Sequence, residues 1–123
     1  MNKNIDITDI LIIDDEVEVC MLLSNYLTKK EKKAEYATTL KDGIAAYEKM
    51  RPQLLILDNN LPDGYGVDHI TYFKAQNPSI CIALISARSD LRAIAIEKGA
   101  NYFIEKPISF NALNAIIEHR SPE

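Results

Sequence analysis

Three short apolar runs in this chain each end in charge. Leu54-Leu55-Ile56-Leu57 runs into Asp58 and breaks at once into the turn-forming stretch Asn59-Asn60-Leu61-Pro62-Asp63-Gly64-Tyr65-Gly66. Ile10–Ile13 runs into Asp14-Asp15-Glu16, and a third run ends at Lys106-Pro107. Carboxylates at the mouths of buried strands stand where open α/β sheets place their chemistry. Two acidic strand ends and one basic one make a site for a divalent cation and a phosphoryl group.

Each of these residues has a plainer reading when taken alone. An aspartate after a strand usually starts a turn or caps a helix. That does not account for Asp14, Asp15 and Asp58 at neighbouring strand ends, because clustered like charges cost energy unless a cation or a function compensates them. Hard oxygen ligands in an open, hydrated place suit magnesium rather than zinc or copper. No Cys/His cluster serves the softer metals, and His69 and His119, far apart on expected helices, read as surface residues. Lys106 alone reads as solvated, but from a strand beyond Ser86 it can reach in and pair with Asp58 or a phosphoryl oxygen. Ser86 is either a turn hydroxyl or a donor to an anion above the sheet. Gly64 and Gly66 serve the loop and the next helix start, since neither a Walker run nor a dinucleotide-binding glycine fingerprint occurs. Together these residues describe a carboxylate that attacks phosphorus. A magnesium ion would neutralise the repulsion, and a lysine and a serine would steady the transferred oxygens.

The positioning elements alternate. Strands are expected at Ile10–Ile13, Ala34–Ala37, Leu54–Leu57, Ile80–Ile85 and Tyr102–Ile104, the third continuously apolar as a strand covered on both faces should be. Helical stripes lie between them. The first carries Val17, Cys20, Met21, Leu23, Tyr26 and Leu27. The second carries Ile44, Ala45, Tyr47 and Met50, with Asp42 near its start and Pro52 beyond its end. The third carries Val67, Ile70 and Tyr72 or Phe73, stopped by Asn77-Pro78. The fourth carries Leu91, Ile94 and Ala95, with Gly99 as C-cap. The fifth carries Phe110, Leu113, Ile116 and Ile117, with Ser109 or Asn111 near its start. Five strand–helix units joined by short connections predict an α/β, doubly wound, three-layer domain with a parallel sheet in the order 2-1-3-4-5. With the first strand central, the switch point falls between strands one and three, so the acidic residues converge in the crevice.

The whole chain agrees with this picture. Its 123 residues suffice for one domain, and 47% hydrophobic with 26% charged residues fits an ordinary globule. A net charge of -4 argues against direct nucleic-acid binding. Lys29-Lys30 and Lys32-Lys33, interrupted by Glu31, read as the solvated end of a helix. The apolar runs are far short of a membrane span, and the amino terminus lacks the order of a signal peptide. Cys20 and Cys81 could pair, but within apolar segments they read as two buried thiols in a reducing cytoplasm.

From Ile10 to about His119 the sequence resembles the receiver domains of two-component response regulators. The matching pieces are Asp14-Asp15-Glu16, Asp58 with Leu61-Pro62 and Gly66, Ser86-Ala87, Gly99-Ala100 and Lys106-Pro107. The resemblance implies one flavodoxin-like (βα)5 receiver domain over 1–123, with Asp58 the phosphoacceptor. It further implies that Asp14 and Asp15 hold magnesium, Asp15 most directly, with the backbone carbonyl of Asn60 completing the protein's share. Ser86 would be the hydroxyl that turns to the phosphoryl group, Lys106 the family lysine, and Phe103 the switch aromatic, without the hydroxyl that a tyrosine brings. A cis Lys106–Pro107 bond is expected on the same ground. The implied partners are a histidine kinase or phosphotransfer protein, an effector domain or downstream protein, and a second copy in a phosphorylation-dependent homodimer. The switch would act on a surface carrying Leu91, Ile94, Phe103 and Phe110. Asn59 and Asn60 leave no bulky residue after Asp58, which bears on autodephosphorylation, and Arg88 adds positive charge at the pocket rim.

Two other functions compete. A hydrolase with an aspartyl-phosphate intermediate commonly needs a second acid two residues beyond its nucleophile, where this chain has Asn60. A non-phosphorylated interaction domain would leave Asp14, Asp15, Asp58 and Lys106 together unexplained. The leading expectation is a signalling module that catalyses only its own magnesium-dependent phosphorylation and dephosphorylation. Ser121-Pro122-Glu123, just past the last helix, fits either a complete regulator or a piece of a larger one.

Overall fold

The computed structural model describes residues 7–118. Alternating apolar runs and amphipathic segments fold into β1 (Asp9–Ile13), α1 (Val17–Lys29), β2 (Lys33–Ala37), α2 (Leu40–Met50) and β3 (Leu54–Asp58). A small hairpin of β4 (Asn60–Leu61) and β5 (Gly64–Tyr65) follows, then a 3-10 turn (Gly66–His69) and α3 (Ile70–Gln76). The chain continues through β6 (Cys81–Ser86), a second 3-10 turn (Ser89–Leu91), α4 (Arg92–Lys98), β7 (Tyr102–Glu105) and α5 (Phe110–Ile117). The main sheet is parallel in the order β2-β1-β3-β6-β7, which is 2-1-3-4-5 when the hairpin is set aside. The expected central strand is corrected by one place. β1 is interior, but β3 holds the middle, which explains why every one of its five residues is buried.

Strand alternation sends side chains into two cores. Leu11, Ile13, Leu55, Leu57, Ile82, Leu84 and Phe103 pack under α2, α3 and α4 with Tyr47, Phe73 and Ala95. Ile10, Ile12, Leu54, Ile56, Ala83 and Ile85 pack under α1 and α5 with Cys20, Leu23, Leu113 and Ile116. Cys20 and Cys81 are free and buried, one on each of two separate elements of this second core.

Helix ends follow local chemistry. Thr39 caps α2 by accepting from the Asp42 N–H, and Ser109, not Asn111, caps α5 by accepting from that of Ala112. Gly99 closes α4 at φ 120°, as its type predicts. Several stripe assignments are too broad. Val17 and Met21 on α1 are exposed, and so is Ile94, because seven-residue α4 buries only Ala95. Val67 belongs to the 3-10 turn before α3 rather than to that helix. Lys33 opens β2, so the basic cluster straddles a helix end and a strand start. The two-residue strands β4 and β5 carry no periodicity to read and were expected as loop. His69 is half-buried in the 3-10 turn, its Nδ1 3.0 Å from the Tyr65 carbonyl, while His119 and the Ser121–Glu123 tail lie outside the described residues. Among the described residues no helix is long and apolar enough to cross a membrane.

Candidate functional site

Strand register brings the acidic residues together. Ile13 of β1 lies opposite Leu57 of β3, so the next residues, Asp14 and Asp58, emerge side by side. Carboxylate oxygens of Asp14, Asp15 and Asp58 all lie within 4.8 Å of one another. Asp14 and Asp58 are buried, whereas Asp15 is exposed at the mouth. One oxygen of each buried carboxylate is spoken for. Asp14 Oδ1 accepts from the Glu16 N–H at 2.8 Å, and Asp58 Oδ1 lies 3.1 Å from Lys106 Nζ and 3.4 Å from the Asn60 N–H. The other two, Asp14 Oδ2 and Asp58 Oδ2, are buried and accept no hydrogen bond. Buried polar atoms without partners are costly and rare, and here both are hard oxygen acceptors in a cluster of three carboxylates. That donor set fits a magnesium-type cation.

Electrostatics reflect the same crowding. Burial, reinforced by the charge of Asp14, pushes Asp58 up to about 6, against the opposing pull of Lys106 and the Asn60 N–H. Burial also raises Asp14, partly offset by the Glu16 N–H and Lys106. For Lys106, partial burial works against the charge, but Asp58, Asp14 and Glu16 overcome it and hold the ammonium above its ordinary value. Cys20 donates from Sγ to the Asp14 carbonyl at 3.2 Å, and burial followed by the Asp14 charge pushes its thiol up to about 12. A neutral thiol there braces the strand end and is no nucleophile.

The remaining residues take defined places. Ser86 ends β6, buried, and its Oγ accepts from the Arg88 N–H at 3.0 Å, the turn contact, which leaves the O–H hydrogen to donate. Lys106 enters because β7 pairs with β6, Ser86 facing Glu105, with the Lys106 N–H donating to the Ser86 carbonyl. The Lys106–Pro107 bond is cis, as expected. Arg88 is engaged with Asp90 at 2.7 Å, so the extra charge assigned to the rim is largely matched by its own neighbour. Phe103 is buried under the Arg92 guanidinium, 5.0 Å from the ring centroid. Phe110 stacks on Tyr26 at 4.2 Å, so it turns towards α1 and the expected surface joining it to Leu91 and Ile94 is divided. Sequence reasoning took Asn59 only for its lack of bulk after Asp58 and passed over its loop-closing role. It is buried, its backbone carbonyl accepts from Gly66 and its side-chain oxygen from Val67, closing the loop beside Asp58. Its polarity next to an apolar strand was the available signal.

Residues 10–118 match the family model of the response regulator receiver domain, so the chain belongs to the response regulator receiver family. Among curated relatives, the KDP operon transcriptional regulatory protein KdpE of Escherichia coli is 31% identical over 88% of this chain and 48% of its own length. Transcriptional regulatory protein CssR of Bacillus subtilis is 37% identical over 80% of this chain and 44% of its own. The chain thus spans about half or less of the relatives it matches. The beryllofluoride-activated NtrC4 receiver domain dimer superposes with a TM-score of 0.83 at 30% identity, covering 89% of this chain and 93% of that one. The receiver domain of NtrX from Brucella abortus gives 0.81 at 30% identity, covering 89% and 95%. Phosphoryl acceptance is the general role of such domains, and they generally use magnesium at the acidic pocket.

Proposed function

We infer that this chain is a phosphorylation-switched receiver in which Asp58 accepts a phosphoryl group from a histidine kinase or phosphotransfer protein. One observation carries the reading. Asp58 stands at a strand mouth with Asp14 and Asp15 beside it and Lys106 bonded to it. An Asp58 oxygen would form the new O–P bond as the donor's N–P bond breaks, the donor imidazole retaining the electron pair. Magnesium, when bound, offsets negative charge on the phosphoryl oxygens. Asp14 and Asp15 would hold it with Asp58 and the Asn60 carbonyl, and Lys106 and the Ser86 hydroxyl would take the remaining phosphoryl oxygens. The only reaction such a chain promotes is its own phosphorylation and dephosphorylation, in the cytoplasm. Exposed Asn60 offers no acid, which counts against the hydrolase reading.

A donor must bring its phosphate within bonding distance of Asp58, so it covers the pocket rim. A groove of about 580 Å³ shares Asp14 and Lys106 with the site, and its further lining includes Glu16 and the apolar Val19, Leu22, Ile108 and Phe110. With Leu22 and Phe110 exposed there, this side suits an apolar helical face of the donor protein. Incubation with acetyl phosphate and magnesium should give one adduct of about 80 Da by intact mass. Asp58→Asn should abolish it and chelation suppress it. An unchanged adduct in the variant would overturn the assignment.

A further inference from the structure

The start of α2 is held by a residue far away in sequence. A helix begins with N–H groups that have no partner within the helix. Thr39 takes that of Asp42, but the Leu40 and Lys41 N–H groups donate to Asp63, at 2.8 Å to Oδ1 and 2.9 Å to Oδ2. Asp63 stands in the turn between β4 and β5, in the stretch that follows Asp58. Those bonds, the Leu40 N–H first and the Lys41 N–H second, hold its carboxyl below the usual range, so it stays ionised as an acceptor. Gly64 seats the hairpin on the helix. Its φ is 155°, and a Cβ there would stand 2.8 Å from Leu40 Cδ1. At the other end of the loop, Asn59 accepts from the Gly66 and Val67 N–H groups. The segment between β3 and the 3-10 turn is therefore pinned at its base by Asn59 and at its tip by Asp63.

Asn60 sits between the two pins. Its N–H reaches Asp58 only at 3.4 Å, too long to fix the peptide by itself. A backbone carbonyl is only as well placed a ligand as the loop that carries it. We propose that Asp63 is a positioning residue for the phosphoacceptor site: its carboxylate clamps the loop tip to the amino end of α2 and so fixes the Asn60 peptide for the cation. The proposal rests on the receiver reading above. Asp63 touches neither cation nor phosphate, and it acts through the hairpin turn, Leu61 and Pro62 lying between it and Asn60.

Calorimetric titration with magnesium chloride on the full chain tests it, with wild type, Asp63→Ala, Asp63→Asn and the charge control Asp68→Asn. Asp63→Ala should raise the magnesium Kd roughly tenfold, the lower end of what losing an outer support of a metal site costs. Asp63→Asn keeps one acceptor oxygen and should fall between, while Asp68→Asn, which removes an exposed charge in the same region, should change Kd less than twofold. Amide exchange at Leu40, Lys41 and Asn60 should speed up in Asp63→Ala, and phosphorylation by acetyl phosphate should slow at limiting magnesium and recover at saturation. Wild-type affinity in Asp63→Ala, even with a lowered melt, would make Asp63 a helix cap only and overturn the proposal with the receiver reading intact. An equal loss in Asp68→Asn would assign the effect to bulk charge and overturn it too. A wild-type chain that binds no magnesium would overturn both.

Discussion

Asp58 is where burial and charge meet most sharply. In the unfolded chain its carboxyl titrates near 3.8, and in the folded site near 6, raised by burial first and the Asp14 charge second. Between those values the native state holds a proton that the unfolded state has released. Stability from this group is therefore present below about pH 4, declines as pH rises towards 6, and is missing above it. The difference between those values corresponds to about 3 kcal/mol at most, and Lys106, Asp14 and Asp15 all face the group. Metal-free Asp58→Asn is expected to be more stable than wild type by roughly 1–3 kcal/mol at pH 7.5, with the gap closing towards pH 4. Urea melts in chelator at several pH values measure this. Equal stabilities at pH 7.5 would mean the ionised carboxylate costs nothing in its site.

At the scale of elements, the loop after β3 must pass very close to the strand it leaves. A Cβ on Gly66 would fall inside contact distance of the Asp58 carbonyl oxygen and 3.0 Å from Leu57 Cγ. Backbone cannot step aside as a side chain can, so Gly66→Ala should destabilise by about 1–3 kcal/mol, the usual cost of overpacking. It should also slow phosphorylation, because the displaced atoms belong to the acceptor residue itself. Urea midpoints and the rate of adduct formation report the two effects, and a wild-type rate in a destabilised variant would separate Gly66 from the site. Two elements were legible in advance: β3 from its unbroken apolar run, and the start of α5 to within the choice of Ser109 or Asn111. The hairpin was not, because two-residue strands have no pattern, and neither was Asp63, whose partners lie 22 and 23 residues earlier. The exposure of Ile94 was equally hidden, since only packing tells a short helix which single face it buries.

Across the molecule, one core lies under α1 and α5 and the other under α2, α3 and α4. Phe103 projects into the second, roofed by Arg92, and Ser86 and Lys106 lie at the strand ends next to it in the sheet. A phosphoryl mimic on Asp58 should therefore shift amide resonances of Leu91, Arg92 and Phe103 more than those of Tyr26 and Phe110. Spectra with and without beryllofluoride would show this as a one-sided pattern. Shifts confined to residues 58–66 would mean that the charge is not transmitted, and equal shifts at Tyr26 and Phe110 would place the switch on the α1–α5 side.

The sequence alone determined the alternation of strands and helices, the parallel sheet with its order, and the charged residues that end its strands. These follow from local period and from the rule that crossovers in such sheets keep one hand. It also determined that Asp14, Asp58 and Lys106 would meet, because strand order and register are enough to bring strand ends together. What only the tertiary structure decided are matters of depth and direction. They include which carboxylate oxygens are left without a donor, that Ser86 Oγ accepts from the Arg88 N–H, that Arg88 is matched by Asp90, and that Phe110 faces Tyr26. Each depends on contacts between segments distant in sequence or on the choice of one rotamer among several, and no local pattern of residue types encodes either.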